Sequence, residues 1–297
     1  MMKYILFLLT EYYYEIACLR RKEILERAGA GGAVVTLQKL NLCSVEEACK
    51  RLSAKENISL GEILALTDDP LCLQQLLDKG CFAIAIYHEM NADQVFSGAR
   101  YAVEDIFSLE YRSYEEAFCR LAGLPWSILK TERLWVRESM VSDVEDFYRI
   151  YQDPSITYYM EDLFPEKESE IAYMKSYIEQ IYGFYGFGLW TVILKESGEV
   201  IGRAGLSVRE GYEIPELGFV IDVPHQKKGY AHEVCEAILQ YAREELAFEE
   251  VQALVDEKNE NSLRLLKKLG FVFDRDVIES DRHYKLFIKN CKKKIDR

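Results

Sequence analysis

Gln226-Lys227-Lys228-Gly229-Tyr230-Ala231, followed by His232, has the residue types of an anion-binding turn in this 297-residue chain. It lies between a predicted strand over 216–221 and a helical pattern in which Val234, Ile238, Tyr241, Ala242 and Leu246 repeat at three and four residues. A diphosphate requires such a place: successive backbone N–H groups at a helix N-terminus, with small residues where the anion comes close. Lys227 and Lys228 can add charge there, although lysines at an exposed turn are often solvated bystanders. Taken alone, such a hexapeptide is more often an ordinary strand-to-helix loop than a ligand site. A second strand, predicted over 251–255, leads into Asn259-Glu260-Asn261-Ser262, a cap signature for a helix that stops at Gly270.

The elements that must hold these pieces follow from periodicity. From residue 133 the pattern predicts a strand over 134–138, helices over 141–151 and 168–182, and strands over 189–195, 200–208 and 216–221. The long helix, the strand over 251–255, the helix over 259–270 and a last strand over 284–288 complete the series. Residues 1–130 alternate short apolar runs (3–9, 33–37, 63–67, 82–87, 100–103) with helical patterns (12–28, 45–55, 70–79, 113–122), the layout of a Rossmann-like open sheet. Ser44 is the expected N-cap of the second of these helices, and Gly80 the stop of the third. The fold class is therefore α/β: an N-terminal Rossmann-like domain at 1–130, a mixed-sheet domain at 131–288 and a basic tail at 289–297, expected as a solvated extension.

The order and spacing of the two motifs, 33 residues from Gln226 to Asn259, resemble the acetyl-CoA-binding core of the GNAT acetyltransferase superfamily over 133–288. Glu216-Leu217-Gly218-Phe219 and Asn259-x-x-Ser262-x-Arg264-Leu265 are most similar to its ribosomal-protein-acetyltransferase (Rim-type) branch. The resemblance implies an acetyl-CoA-dependent N-acetyltransferase that passes acetyl to a primary amine by direct attack in a ternary complex, with coenzyme A as product. It implies that the strands at 216–221 and 251–255 splay so that the pantetheine arm lies between them, its amides replacing missing ladder partners. It places the diphosphate on N–H groups from Lys228 to His232, and assigns Asn259 to the pantetheine arm while that residue also caps its helix. Phe219 and Val220 would offer a backbone N–H to the thioester oxygen.

For catalysis the resemblance points to Glu216 as general base, a residue that reads equally as a substrate-positioning or strand-end charge. Where many members carry a tyrosine acid, this chain has Leu266. The proton donor to the leaving thiolate then moves to Ser262, which also reads as a helix-start residue, with Tyr284 on the last strand as a further hydroxyl. The aromatic, glycine-rich stretches 158–162 and 182–188 are suited to a substrate lid, or to core packing. The alternative is a catalytically degenerate domain that binds acyl-CoA as a sensor or partner module.

In the N-terminal half, a strand followed by Asp68-Asp69-Pro70, a helix and a strand resembles the later half of a haloacid-dehalogenase-like domain. The first strand ends Leu8-Leu9-Thr10-Glu11, without the Asp-x-Asp pair such hydrolases use, so phosphoryl chemistry is not expected. Asp68 and Asp69 read as helix-capping residues in preference to metal ligands.

Composition bounds the partners. A net charge of −13 disfavours nucleic acid and suits an amine-bearing acceptor, whether a small molecule or a protein N-terminus. Eight cysteines contain no C-x-x-C pair, so reduced thiols are expected, and neither they nor the four histidines have metal-ligand spacing. The apolar run at 4–9 is too short for a signal or a membrane span, so the chain is expected in the cytoplasm. Nothing in the sequence fixes the oligomeric state.

Overall fold

The computed structural model describes residues 2–40, 45–48, 50, 58–279 and 282–292, and its contacts form two compact units, Met1–Leu124 and Pro125–Arg297.

In the first unit, β1 (Tyr4–Leu9), β2 (Val34–Lys39), β3 (Ile63–Thr67), β4 (Phe82–Ile86) and β5 (Ala102–Val103) form a parallel sheet in the order β2-β1-β3-β4-β5. Every residue of β1 and β3 is buried. Side chains alternate across a strand, so Leu6 and Leu8 join one apolar cluster while Ile5, Phe7 and Leu9 join another. Two covered faces explain the unbroken apolar runs of a parallel sheet. This is the expected doubly wound layout. The helix expected at 12–28 is instead two, α1 (Glu11–Leu19) and α2 (Arg21–Gly29), because Arg20 leaves helical geometry at φ −117°, ψ 22°. Helices α3 (Pro70–Asp78) and α4 (Tyr111–Leu121) follow. Of the helix expected at 45–55, Ser44 and residues 49 and 51–55 lie outside the described residues; 45–48 and 50 are helical. Asp69 caps α3 by accepting from the Cys72 N–H (2.7 Å). Asp68 does not cap: its buried carboxylate accepts from Thr10, a role the sequence reading missed.

The second unit is an eight-stranded mixed sheet in the order β12-β13-β11-β10-β9-β8-β7-β6. Its strands are β6 (Ser127–Lys130), β7 (Leu134–Arg137), β8 (Leu189–Leu194), β9 (Val200–Ser207), β10 (Glu216–Ile221), β11 (Glu250–Asp256), β12 (Val272–Glu279) and β13 (Arg282–Asn290). Two of these were not expected. β6 pairs with β7, so residues before the boundary placed at 130 belong to this sheet. β12 pairs with β13 as an edge strand whose first five residues are exposed. The longer helices are α5 (Val144–Tyr151), α6 (Lys167–Tyr177), α7 (Tyr230–Glu244) and α8 (Glu260–Lys268). α6 runs into a π-helical turn at Ile178–Tyr182.

The sheet's two faces are occupied differently. In the β9–β10 ladder, Arg203 stands opposite Val220 and Ala204 opposite Phe219. The Arg203 guanidinium lies over the Phe147 ring of α5, 4.6 Å from its centroid, so α5 covers that face. Trp190, paired with Ala204, meets Tyr241 of α7 edge to face, so α7 covers the other. Lys289 and Asn290 continue β13 and the Cys291 N–H donates to the Glu249 carbonyl (2.7 Å), so the start of the expected solvated tail is ordered; 293–297 lie outside the described residues. The six cysteines within the described residues are free thiols. No helix among the described residues is long and apolar enough to cross a membrane.

Candidate active site

Strand β10 is paired along its whole length with β9, from Glu216↔Ser207 to Ile221↔Gly202, but with β11 at a single position, Glu216↔Gln252. The Gln252 N–H donates to the Pro215 carbonyl (2.9 Å), and beyond that point no β10–β11 pair follows. Every second residue of an antiparallel strand turns its N–H and C=O away from its partner, so β10 presents ladder groups into a wedge. The splay expected between these strands is present. At its apex the Gln252 side chain is buried, with Nε2 lacking a hydrogen-bond partner among the described residues. A buried amide nitrogen without an acceptor is costly, and an extended amide ligand fits the wedge by completing it.

The turn after β10 is built from its own side chains. Asp222 is buried and ion-paired with Arg149, and the His225 N–H donates to the Asp222 carbonyl (2.8 Å). Gln226 Nε2 donates to the Ile221 carbonyl (2.9 Å), so this side chain braces the turn against the strand end. Lys227 takes a left-handed conformation (φ 59°) and Gly229 follows at φ 87° as the N-cap of α7. Two left-handed residues in three reverse the chain sharply, and only the glycine does so without a Cβ penalty. Gly229 has no side chain to cap the helix, and the first N–H accepted within it is that of Glu233, by the Gly229 carbonyl (3.0 Å). The amides of Tyr230, Ala231 and His232 therefore face outward at the positive end of the helix dipole.

Arg133, which the sequence reading did not single out, secures this helix end. Its Nε donates to Glu233 Oε2 (2.7 Å), its backbone N–H to Oε1 (2.9 Å) and its Nη1 to the Lys228 carbonyl (3.0 Å), while the guanidinium lies 4.4 Å from the Tyr230 ring centroid. Burial raises the Glu233 pKa, but the Thr131 hydroxyl and the Arg133 N–H and guanidinium outweigh it and hold the carboxyl below its usual range. A cavity of about 170 Å³ lined by Arg133, Lys195 and Tyr230 adjoins the same corner. The signal was available: Arg133 is the basic residue immediately before β7, and Glu233 stands in the first turn of α7.

Glu216, at the mouth of the wedge, is half-buried, and burial pushes its carboxyl above the usual range; Arg209 pulls it back down and Glu279 pushes it up. Arg209 Nη1 lies 3.4 Å from both Glu216 oxygens and Nη2 is paired with Glu279, whose Oε1 accepts from the Tyr212 hydroxyl (2.9 Å). Neither Arg209 nor Glu279 was expected at the site. Just beyond the end of β11, Asn259 Oδ1 accepts from the Ser262 N–H (3.1 Å), capping α8. Ser262 is half-buried and its hydroxyl makes no hydrogen bond among the described residues. Leu266 is fully buried, and Tyr284 is half-buried on β13 opposite Asp256. Phe219 is half-buried and Val220 buried; Lys227, Lys228 and Gly229 are exposed, and Tyr230, Ala231 and His232 half-buried.

The aromatic stretches divide between the two roles open to them. Phe184 is 82% exposed and Tyr158 and Tyr185 are also exposed, whereas Tyr182 and Phe187 are core residues. The Tyr182 hydroxyl donates to the Leu189 carbonyl (2.5 Å) and accepts from the Ser139 N–H (3.1 Å). The Tyr159 hydroxyl donates to the Lys258 carbonyl (3.2 Å) beside the start of α8.

Residues 133–272 match a protein family described as an acetyltransferase (GNAT) domain. The uncharacterized protein YkkB of Bacillus subtilis (strain 168) is 32% identical over 95 residues, which cover 31% of this chain and about half, 55%, of that protein. The uncharacterized N-acetyltransferase p20 of Bacillus licheniformis is 28% identical over 147 residues, 48% of this chain and 81% of that protein. A solved acetyltransferase (GNAT family) from Bacillus anthracis is 21% identical, with a TM-score of 0.48, over 55% of this chain and 98% of that one.

Proposed function

Given a GNAT acetyltransferase domain at residues 133–272, we propose that the chain is an acetyl-CoA-dependent N-acetyltransferase acting on a primary amine by direct attack in a ternary complex. The observation that carries this reading is the single residue pair joining β10 to β11, which leaves ladder groups and the Gln252 amide unsatisfied where an extended amide ligand fits. Bound acetyl-CoA supplies an electrophilic thioester carbonyl. The amides of Tyr230, Ala231 and His232 hold its diphosphate, as anions are held at helix N-termini, and Lys227 and Lys228 add charge from the exposed turn. Gln226 contributes by bracing that turn, and Asn259 by its remaining side-chain N–H groups.

An alkylammonium has no lone pair for attack, so Glu216 accepts its proton, directly or through a water. Burial that raises the Glu216 pKa brings it closer to the working pH of a general base. A backbone N–H of Phe219 or Val220 donates to the carbonyl oxygen as negative charge develops, and the Ser262 hydroxyl donates to the departing sulfur. The acceptor is a small amine or a protein N-terminus; Asn259-x-x-Ser262-x-Arg264-Leu265 favours the Rim-type branch. The reducing cytoplasm is the compartment in which the free thiols are stable.

The test is thiol release from acetyl-CoA over a panel of amines and N-terminal peptides. Turnover that falls by about 10²-fold in Glu216→Gln, with coenzyme affinity kept, supports the assignment. A second reading, a coenzyme-binding module without turnover, draws on the Arg209 guanidinium already facing Glu216. Tight binding with no thiol release on any acceptor favours it.

A further inference from the structure

Arg209 serves two carboxylates unequally. It stands just after β9, with Nη2 paired closely to Glu279, the last residue of the edge strand β12. Its Nη1 lies 3.4 Å from each Glu216 oxygen, well beyond the roughly 2.7–2.9 Å of a charge-assisted hydrogen bond. The Tyr212 hydroxyl donates to Glu279 Oε1 (2.9 Å) and the Tyr212 N–H to the Arg209 carbonyl (3.1 Å), so one tight turn aims both side chains at the same carboxylate. The Arg209 hydrogen bond holds the Glu279 carboxyl below its usual range, against burial and with help from Tyr212. Glu216 lies above its range instead, because burial outweighs the pull of Arg209.

This group is short of one positive charge. Two carboxylates share one guanidinium, and the arginines of β12 and β13 do not make up the difference. Arg275 is paired with Asp274, and Arg282, opposite Glu279 in the ladder, makes no ion pair with Glu216 or Glu279 among the described residues. A second cation can reach the place, since 36% of the Arg209 side chain is exposed at the mouth of the wedge, against 14% of Glu216. The two ends of the guanidinium fork are separate donors, so Nη1 can turn away from Glu216 while Nη2 stays on Glu279.

We infer that Arg209 is a displaceable stand-in for the acceptor's ammonium at Glu216, and that Glu279, with Tyr212, is the positioning residue that keeps the guanidinium when the acceptor takes its place. The acceptor is then bound as a cation, an alkylammonium or a peptide's terminal ammonium, which completes a set of two carboxylates and two positive charges. The inference rests on the acetyl-transfer reading and deepens it: it states how Glu216 comes free to act, and makes the Arg209–Glu216 contact the resting state of an enzyme. Glu279 and Tyr212 act only through Arg209.

Steady-state kinetics of the native chain, Glu279→Gln, Tyr212→Phe and the double variant Glu279→Gln/Arg209→Met test it, with the panel of amines and N-terminal peptides as acceptors and acetyl-CoA saturating. Without Glu279 the guanidinium closes on Glu216, so the acceptor KM should rise about tenfold, the worth of one charge-assisted hydrogen bond to be displaced, while kcat changes little. The acidic limb of kcat/KM should move to lower pH, because Arg209 then pulls harder on the Glu216 carboxyl and the charge of Glu279 no longer pushes it up. Tyr212→Phe, which only loosens Glu279, should raise KM by about twofold to threefold. Removing Arg209 as well leaves nothing to displace, so the double variant should recover most of the KM lost in Glu279→Gln, and its acidic limb should return upward. An unchanged KM in Glu279→Gln, or a double variant as impaired as Glu279→Gln, overturns the inference. A coenzyme Kd that weakens in step with the acceptor KM assigns Glu279 to the fold and also overturns it. Should no acceptor release thiol, the transfer reading fails first, and carbon-13 NMR titration of the Glu216 carboxyl decides the role of Glu279 separately. Glu279→Gln should lower that pKa further in the chain that has Arg209 than in the Arg209→Met background. An equal fall in both backgrounds contradicts the role.

Discussion

The two units each bring strand ends and helix starts together at one corner, and the corners are finished in opposite ways. In the N-terminal sheet the chain order reverses between β1 and β3, the position where open α/β sheets commonly bind ligands. There the Asp68 carboxylate accepts from the Thr10 N–H (2.8 Å), the Thr10 hydroxyl and His88 Nε2 (3.2 Å). His88 Nδ1 accepts from the Met90 N–H (3.2 Å), which fixes the proton on Nε2, and Asn91 bridges the Asp68 and Ile86 carbonyls at 3.0 and 2.9 Å. Tyr13 stacks on the His88 ring at 4.8 Å. At the β10–α7 corner the glycine N-cap offers nothing to the amides that follow, and at the neighbouring wedge Gln252 Nε2 has no hydrogen-bond partner among the described residues. Topology offers both places; unspent donors mark only the second as ready for a ligand.

If the first corner is purely structural, Asp68→Ala should strand the Thr10 and His88 donors and cost about 3 kcal/mol of stability, measured by denaturant unfolding. Acetyl-CoA affinity should stay as it was. A variant of normal stability, or one that loses coenzyme binding, would erase the contrast. The converse change is Gly229→Val, whose Cβ would stand 3.3 Å from the Arg133 guanidinium at φ 87°. It should weaken acetyl-CoA binding at least tenfold by calorimetry, while left-handed strain costs only about 1–2 kcal/mol of stability.

How far these corners were legible follows from what each residue reports about itself. The α7 turn could be read because glycine and alanine at a strand-to-helix junction reflect a local backbone requirement. Arg20, by contrast, ends a helix inside a continuous pattern: Tyr13, Ala17, Ile24 and Ala28 are buried at spacings that one straight helix would also satisfy. β12 was missed because an edge strand with an exposed face lacks apolar alternation, and β6 because four residues are too few to show a period. Arg209 and Gln252 matter through what lies near them across strands, which spacing along the chain does not encode. Gln226 was placed correctly in the turn, yet its side chain serves the strand end.

Smaller effects separate the charges at the wedge. Arg209 favours ionised Glu216, so Arg209→Ala should move the acidic limb of the kcat/KM profile to higher pH, since the carboxyl then stays protonated longer as pH rises. A limb that moves to lower pH, or stays in place, removes Glu216 from the role of base. Ser262→Ala should lower kcat by about threefold to tenfold with an unchanged coenzyme Kd, a loss below the roughly 10²-fold small end of a general acid's contribution. An unaltered kcat would return Ser262 to its helix-start role.

Amide hydrogen exchange with and without coenzyme A reaches the central claim most directly. Protection should appear on Tyr230, Ala231 and His232 and along the β11-facing amides of Glu216–Ile221, while the Thr10 amide, already bonded to Asp68, keeps its rate. Exchange at the α7 start and along β10 that is indifferent to saturating coenzyme A would contradict the account.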